Sequence, residues 1–205
     1  MRFFKINIIV LNVCMLAMYV MHNNAMQAPI LTLQAYLDRT LFLDVMLPNN
    51  ALVCTKTLLA CRANVNARDQ FGLTPVHYAA QRGLVHVLEC LINDPGYISD
   101  VPNSNGSSPL MMAVIGNSFD CVKMLIDGRS SVNYANNMQE TALHYASCLG
   151  NQKIVQFLID QNANVFARTV QYKTAYDFAW RNKHSEIASL LVAKMCDHWV
   201  LKTLK

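Results

Sequence analysis

The chain has 205 residues, 53% of them hydrophobic and 15% charged, with a formal net charge of +4. That length holds one domain with a full core, or a small domain plus a tail. The charge is mild and unclustered, with Lys194, Lys202 and Lys205 spread along a loosely basic C-terminus, so no nucleic-acid-binding stripe is present in the composition. The cysteines, Cys14, Cys54, Cys61, Cys90, Cys121, Cys148 and Cys196, include no C-x-x-C pair. Neither a zinc site nor a thioredoxin-like redox motif is signalled. Cys54, Cys90 and Cys121 lie among apolar residues, where a free thiol behaves as a small hydrophobe. This usage suits a reducing compartment better than a secreted disulfide scaffold.

Taken in chain order, residues 6–21 form an apolar run preceded by Arg2 and Lys5 and followed by Ala25. Charged start, apolar stretch and small residue together have the form of a secretory signal. The run contains Asn7 and Asn12 and is short for a membrane span, which needs about 20 predominantly apolar residues. Three readings stay open for residues 1–31: a cytosolic extension packed on the first helices, a cleaved signal, or an anchor. The unpaired cysteines favour the first, and a translation start at Met21 or Met26 would remove the segment. Asn105-Gly106-Ser107 fits a glycosylation acceptor, at a position where a turn is expected anyway.

Residues 32–47 place Leu33, Leu37, Leu41 and Met46 near helical spacing, and Pro48-Asn49-Asn50 breaks the helix. A further helix is expected over 52–60. Beyond it one pattern recurs. Thr74-Pro75-Val76-His77-Tyr78-Ala79 is followed by Ser108-Pro109-Leu110-Met111-Met112-Ala113 and Thr141-Ala142-Leu143-His144-Tyr145-Ala146. A weaker copy, Thr174-Ala175-Tyr176-Asp177-Phe178-Ala179, comes last. Thr74 to Ser108 is 34 residues, Ser108 to Thr141 is 33, and Thr141 to Thr174 is 33. In each copy a hydroxyl can cap a helix start, and Pro75 and Pro109 suit the first helical position. Val76, Ala79 and Ala80 share one helix face, and Gly83 fits a left-handed cap. A second helix follows each time, carrying Val87, Leu88, Leu91 and Ile92, then Cys121, Val122, Leu125 and Ile126. The later copies carry Ile154, Val155, Leu158 and Ile159, and finally Ile187, Ala188, Leu190 and Leu191. Asp94-Pro95-Gly96 stops the first of these second helices.

The pattern resembles the ankyrin repeat, whose signature is T-P-L-H-x-A in a unit of about 33 residues. The resemblance implies an all-α solenoid of stacked helix-turn-helix units with short β-turn fingers. Arg62 to Asp69 is similar to the end of such a unit, which marks 32–68 as a degenerate first repeat or N-terminal cap. Full repeats follow at 69–102, 103–135 and 136–168, then a degenerate capping repeat at 169–194 and a tail at 195–205. The copies depart from the family pattern at Met111 and Asp177, which replace histidine, at Lys183, which replaces glycine, and at Trp180, where alanine is usual. A divergent end suits a cap whose outer face meets water.

His77 and His144 occupy the same position of two units, and the resemblance implies that each hydrogen-bonds its threonine and nearby backbone rather than a metal. Cys196-Asp197-His198 lacks the orienting third group that a cysteine nucleophile needs. No glycine-rich phosphate loop and no G-x-S-x-G elbow occurs. The expectation is therefore no enzyme, no cofactor and no metal site. Tyr78, Met112, Tyr145 and Phe178 follow the repeat period as packing residues.

In this family the fingers project between units and the first helices line a concave face, so partner-binding residues lie between the framework positions. The candidates are Gln70, Phe71, Leu73, Gln81, Arg82, Asn105, Asn137, Met138, Glu140, Leu149 and Arg181. Apolar and aromatic residues beside an arginine are anchor chemistry for a protein partner. The expected function is a non-enzymatic adaptor or regulatory subunit, cytoplasmic or nuclear, docking a partner such as a protein kinase or transcription factor. Some family members inhibit cyclin-dependent kinases or Rel-type transcription factors in this way. The alternative is a secreted or membrane-delivered effector directed by the N-terminal segment. Oligomeric state is not legible.

Overall fold

The computed structural model describes residues 51–203, together with Ala35, residues 37–41 and Val45. The apolar run 6–21, Leu33, Met46 and the break at 48–50 lie outside the described residues. Nine named helices follow in order: α1 (Ala51–Ala60), α2 (Pro75–Gln81), α3 (Val85–Ile92), α4 (Pro109–Ile115), α5 (Phe119–Asp127), α6 (Ala142–Leu149), α7 (Gln152–Asp160), α8 (Ala175–Arg181) and α9 (Ser185–Thr203). No strand occurs among the described residues. The last helix runs to Thr203, so the boundary drawn at 194 falls inside α9 and most of the expected tail is helical.

The helices form two layers. First helices pack α2 on α4 on α6 on α8, and second helices pack α1 on α3 on α5 on α7 on α9. No pair this short could bury its apolar faces alone, so the stack supplies the core. Val76, Ala79, Leu110, Ala113, Leu143 and Ala146 are buried between first helices. Leu88, Leu91, Val122, Leu125, Val155 and Leu158 are buried along the second layer. Leu37, Leu41 and Val45, four residues apart, are buried in the same core.

Every first helix starts and stops by the same local chemistry. Thr74, Ser108, Thr141 and Thr174 hold extended backbone at the cap position. At the other end, Gly83, Asn117, Gly150 and Lys183 all take φ between 56° and 78°. That left-handed turn lets the next amide reach back to the alanine carbonyl one turn earlier: Leu84 to Ala79, Ser118 to Ala113, Asn151 to Ala146 and His184 to Ala179. Only two of the four positions are glycine. Gly116, one residue before Asn117, serves a different need, because a Cβ there would collide with the Gln81 backbone of the preceding unit.

Second helices end in the same way at Arg62, Arg129 and Asn162, each at positive φ. In the 69–102 unit Pro95 stands at that position. Proline cannot take positive φ and has no amide to donate. The Asp94 carboxylate accepts from the Gly96 amide instead, and the longer excursion that follows accounts for the 34-residue spacing.

Candidate functional site

Along the face built by the fingers and first helices, each unit brings non-framework residues forward at a fixed register. Each finger is braced from within. Asp69 accepts from the Phe71 and Leu73 amides, Asn103 from Asn105 and Ser107, Asn136 from Met138 and Glu140, and the Thr169 hydroxyl from Gln171 and Lys173. Consecutive fingers are then tied by backbone bonds from the Ser104 amide to Phe71, from Asn137 to Asn105 and from Val170 to Met138. The face is thus pre-ordered, which lowers the entropy cost of docking on it.

The histidines are part of this frame. His77 is fully buried; its Nδ1 accepts from the Thr74 amide at 3.0 Å and its Nε2–H donates to the Ser107 carbonyl of the next unit at 3.1 Å. His144 repeats this with Thr141 and the Lys173 carbonyl. Both ring nitrogens are used by the neutral form. Burial lowers the His77 pKa to about 4, against the raising effect of the Ser107 bond, and burial likewise lowers that of His144. Met111, which replaces histidine, is buried and has no ring nitrogen to make the bridge. Asp177 caps its own helix by accepting from the Thr174 amide and hydroxyl. Partial burial pushes its carboxyl up, but these two bonds, with Lys173 and Arg168 nearby, outweigh that and hold it below the usual range.

The tyrosines do more than pack. The Tyr78 hydroxyl donates to Asp69 at 2.7 Å, and Tyr145 donates to Glu140 at 2.7 Å while accepting from Asn136. Burial and the adjacent carboxylate push both phenols up to about 12. Among the described residues no group of three His, Cys, Asp or Glu side chains could hold a metal.

The candidates from sequence divide on this frame. Phe71 is 59% exposed, Met138 47% and Leu149 50%. Gln70, Gln81, Arg82, Asn105, Asn137 and Arg181 are exposed as well. Leu73 is half-buried against the core, and Glu140 is held by Tyr145 and Asn136, so these two belong to the scaffold of the face rather than to its free surface. The structure brings Met138 and Arg181 together with Val170, Lys173, Phe178 and Trp180. A concavity of about 390 Å³ lies between the last two fingers and α8, lined by Met138, Val170, Lys173, Phe178, Trp180 and Arg181. Trp180 is 67% exposed and Val170 49%. Tyr176 stacks on Trp180 with centroids 6.2 Å apart. Trp180 follows Ala179 as Ala80 follows Ala79 and Ser147 follows Ala146. Ala80 and Ser147 are buried in units that have a further first helix stacked on them, whereas α8 is the last first helix among the described residues. The signal in the sequence was the bulk of Trp180 at a small-residue position.

A family profile described as Ankyrin repeats (3 copies) matches residues 41–136, 96–169 and 129–201. Inversin of Canis lupus familiaris is 31% identical over 120 residues, 58% of this chain and 11% of its own length. The Caenorhabditis elegans homolog of transient receptor potential cation channel subfamily A member 1 is 27% identical over 132 residues, 64% of this chain and 11% of its own. Ankyrin repeat and SOCS box protein 11 of Pongo abelii is 33% identical over 129 residues, 61% of this chain and 39% of its own. This chain therefore spans only a minor part of the length of these relatives. Stacks of such repeats are protein–protein interaction modules and are generally not enzymes. No helix among the described residues is long and apolar enough to cross a membrane.

Proposed function

Because the chain belongs to the ankyrin-repeat family, we propose that it works as a small adaptor or regulatory subunit, binding one partner protein on its finger and first-helix face. The observation that carries this reading is the cluster of exposed Met138, Val170 and Trp180 on a hydrogen-bonded, pre-ordered frame with Arg181 beside it. Large apolar groups held open at the centre of a rigid surface are the anchor type that dominates protein interfaces. A partner such as a protein kinase or transcription factor would be occupied or reshaped, with the chemistry supplied by the partner. The thiols of Cys90, Cys121, Cys148 and Cys196, none of them in a disulfide, support a cytoplasmic or nuclear setting. The other destination, a secreted or membrane-delivered effector, rests on the charged start and apolar run of residues 2–25. Sequencing the mature N-terminus decides between them: cleavage near Ala25 supports the effector, and an intact Met1 or a start at Met26 supports the adaptor.

The test is affinity purification of the full chain, followed by reconstitution of the recovered partner with purified protein. Phe71→Ala combined with Met138→Ala should leave the thermal melt unchanged and abolish that complex. An undiminished complex with the double variant removes this face from the function.

A further inference from the structure

Along the finger and first-helix face, carboxylates and cations have different fates. The Asp69 carboxylate accepts two backbone amides and the Tyr78 hydroxyl, Glu140 holds Tyr145 and Asn136, and Asp177 caps α8. Each negative charge is thus directed into the protein's own frame. The cations of the last unit are directed outward. Arg168, Lys173, Arg181 and Lys183 are all exposed; Lys173 and Arg181 line the concavity with Met138, Val170 and Trp180, and Glu140 and Asp177 line it too, half-buried and already held by Tyr145, Asn136 and Thr174. The fully exposed charge around this apolar centre is therefore cationic, since the two carboxylates there already accept hydrogen bonds within the frame. The corresponding first-helix segment 109–118 in the middle of the stack contains no charged residue.

From this charge complementarity, and resting on the protein-docking reading above, we infer that the concavity is a specific subsite for an acidic partner segment. That segment inserts one aliphatic or aromatic side chain between Met138, Val170 and Trp180 and places flanking Asp or Glu side chains against Lys173 and Arg181. A volume of about 390 Å³ is at the small end of sites that take a whole small molecule, about 300–1,000 Å³. It suits one or two side chains of a peptide. A nucleic acid fits less well, because single strands use successive aromatic platforms along a basic groove, and here the two aromatic rings, Phe178 and Trp180, share one concavity with two carboxylates, Glu140 and Asp177. Opposite charge at the rim speeds encounter and selects partners, while the buried apolar anchor supplies most of the affinity.

The experiment uses the full chain and a fluorescein-labelled peptide in which aspartates flank a central leucine. Three comparison probes are the same peptide with lysines for the aspartates, the same with alanine for the leucine, and an oligothymidylate. Binding is read by fluorescence polarisation. In a Trp199→Phe variant, which leaves Trp180 as the single tryptophan, it is read also by the shift of tryptophan emission. The aspartate–leucine peptide should bind saturably, weaken as salt is raised, and move Trp180 emission to shorter wavelength. Lys173→Glu with Arg181→Glu should weaken it about tenfold or more with the melt unchanged, and the lysine and alanine peptides should bind correspondingly worse. Equal binding of the lysine peptide, tighter binding of the oligothymidylate, or a Trp180 emission unmoved at saturation overturns the inference. If the partner complex of the preceding section survives Lys173→Glu/Arg181→Glu and Trp180→Ala yet is lost with Phe71→Ala/Met138→Ala, the acidic subsite fails while the docking reading stands. Peptide binding at the concavity without any complex sensitive to the face does the reverse.

Discussion

Helices α6 and α8 occupy the same place in successive units, and half of their paired positions differ in burial. Leu143 is buried where Tyr176 is half-exposed, and Ser147 is buried where Trp180 faces solvent. His144 reaches across to the Lys173 carbonyl of the next unit, whereas Asp177 bonds only within its own helix turn. Gly150 closes α6 at φ 78°, and Lys183 closes α8 at φ 63° with a side chain that glycine would not carry. What separates them is the neighbour. α6 is covered by α8, and among the described residues no further first helix covers α8. The same backbone position is therefore core in one unit and a candidate recognition surface in the next.

The largest break in this comparison is expected at Leu143. Leu143→Ala removes a fully packed side chain between two units and should cost about 2–5 kcal/mol, read as the urea midpoint.

Acid sharpens the comparison next. His77 titrates at about 4 in the folded state and near 6.5 when unfolded. Stability from the neutral ring is complete above 6.5, and falls as pH drops from 6.5 toward 4, because the unfolded chain takes up the proton first. The loss should reach up to about 3 kcal/mol. His144, lowered by the same burial, acts in the same direction. Asp177 is held below its usual range, so its contribution is present above about 3.8 and is lost only at lower pH, as its folded pKa is passed. Urea titrations from pH 7 to 3 should show the histidine-dependent drop first, and His77→Gln should flatten the slope between 6.5 and 4.

The helix closures give a smaller and opposite pair. Lys183→Gly should stabilise by about 0.5–1 kcal/mol, since it relieves left-handed backbone in a residue with a Cβ. Gly150→Ala should destabilise by more than about 1 kcal/mol, because the new Cβ meets the His184 ring as well as the backbone strain. Equal and opposite melts from the two would show that the His184 contact adds nothing.

The smallest expected change in stability, under about 1 kcal/mol, belongs to Trp180→Ala, whose ring is mostly in water. Its effect on partner affinity should exceed its effect on the melt. A loss of stability comparable to Leu143→Ala would mean that Trp180 is a capping core residue and not an anchor.

Much of the frame could be read before the structure. The threonine or serine before each first helix, the small alanine five residues on, and the apolar quartets of the second helices all report local rules that repeat at a fixed spacing. The exposed candidates Phe71, Met138, Leu149 and Arg181 followed from subtracting those framework positions. Other features were less legible. Asn117 and Lys183 perform the glycine closure, and no local rule demands that they do. The tyrosine hydroxyls of Tyr78 and Tyr145 brace carboxylates five to nine residues earlier in sequence, on a different element. Leu73 and Glu140 looked free in the sequence because their partners are contributed by the core and by Tyr145.

The sequence by itself determined the unit, its period, and the start and stop chemistry of each helix, because capping and turn formation involve residues within a few positions of one another. Only the tertiary structure decided which copies of a position are covered. It paired Met138 of one finger with Trp180 and Arg181 of the next helix, and it directed Asp69, Glu140 and Asp177 inward while leaving Lys173 and Arg181 at the surface. Those outcomes depend on which helix lies against which, and stacking neighbours is a property of the assembled solenoid that no single unit encodes.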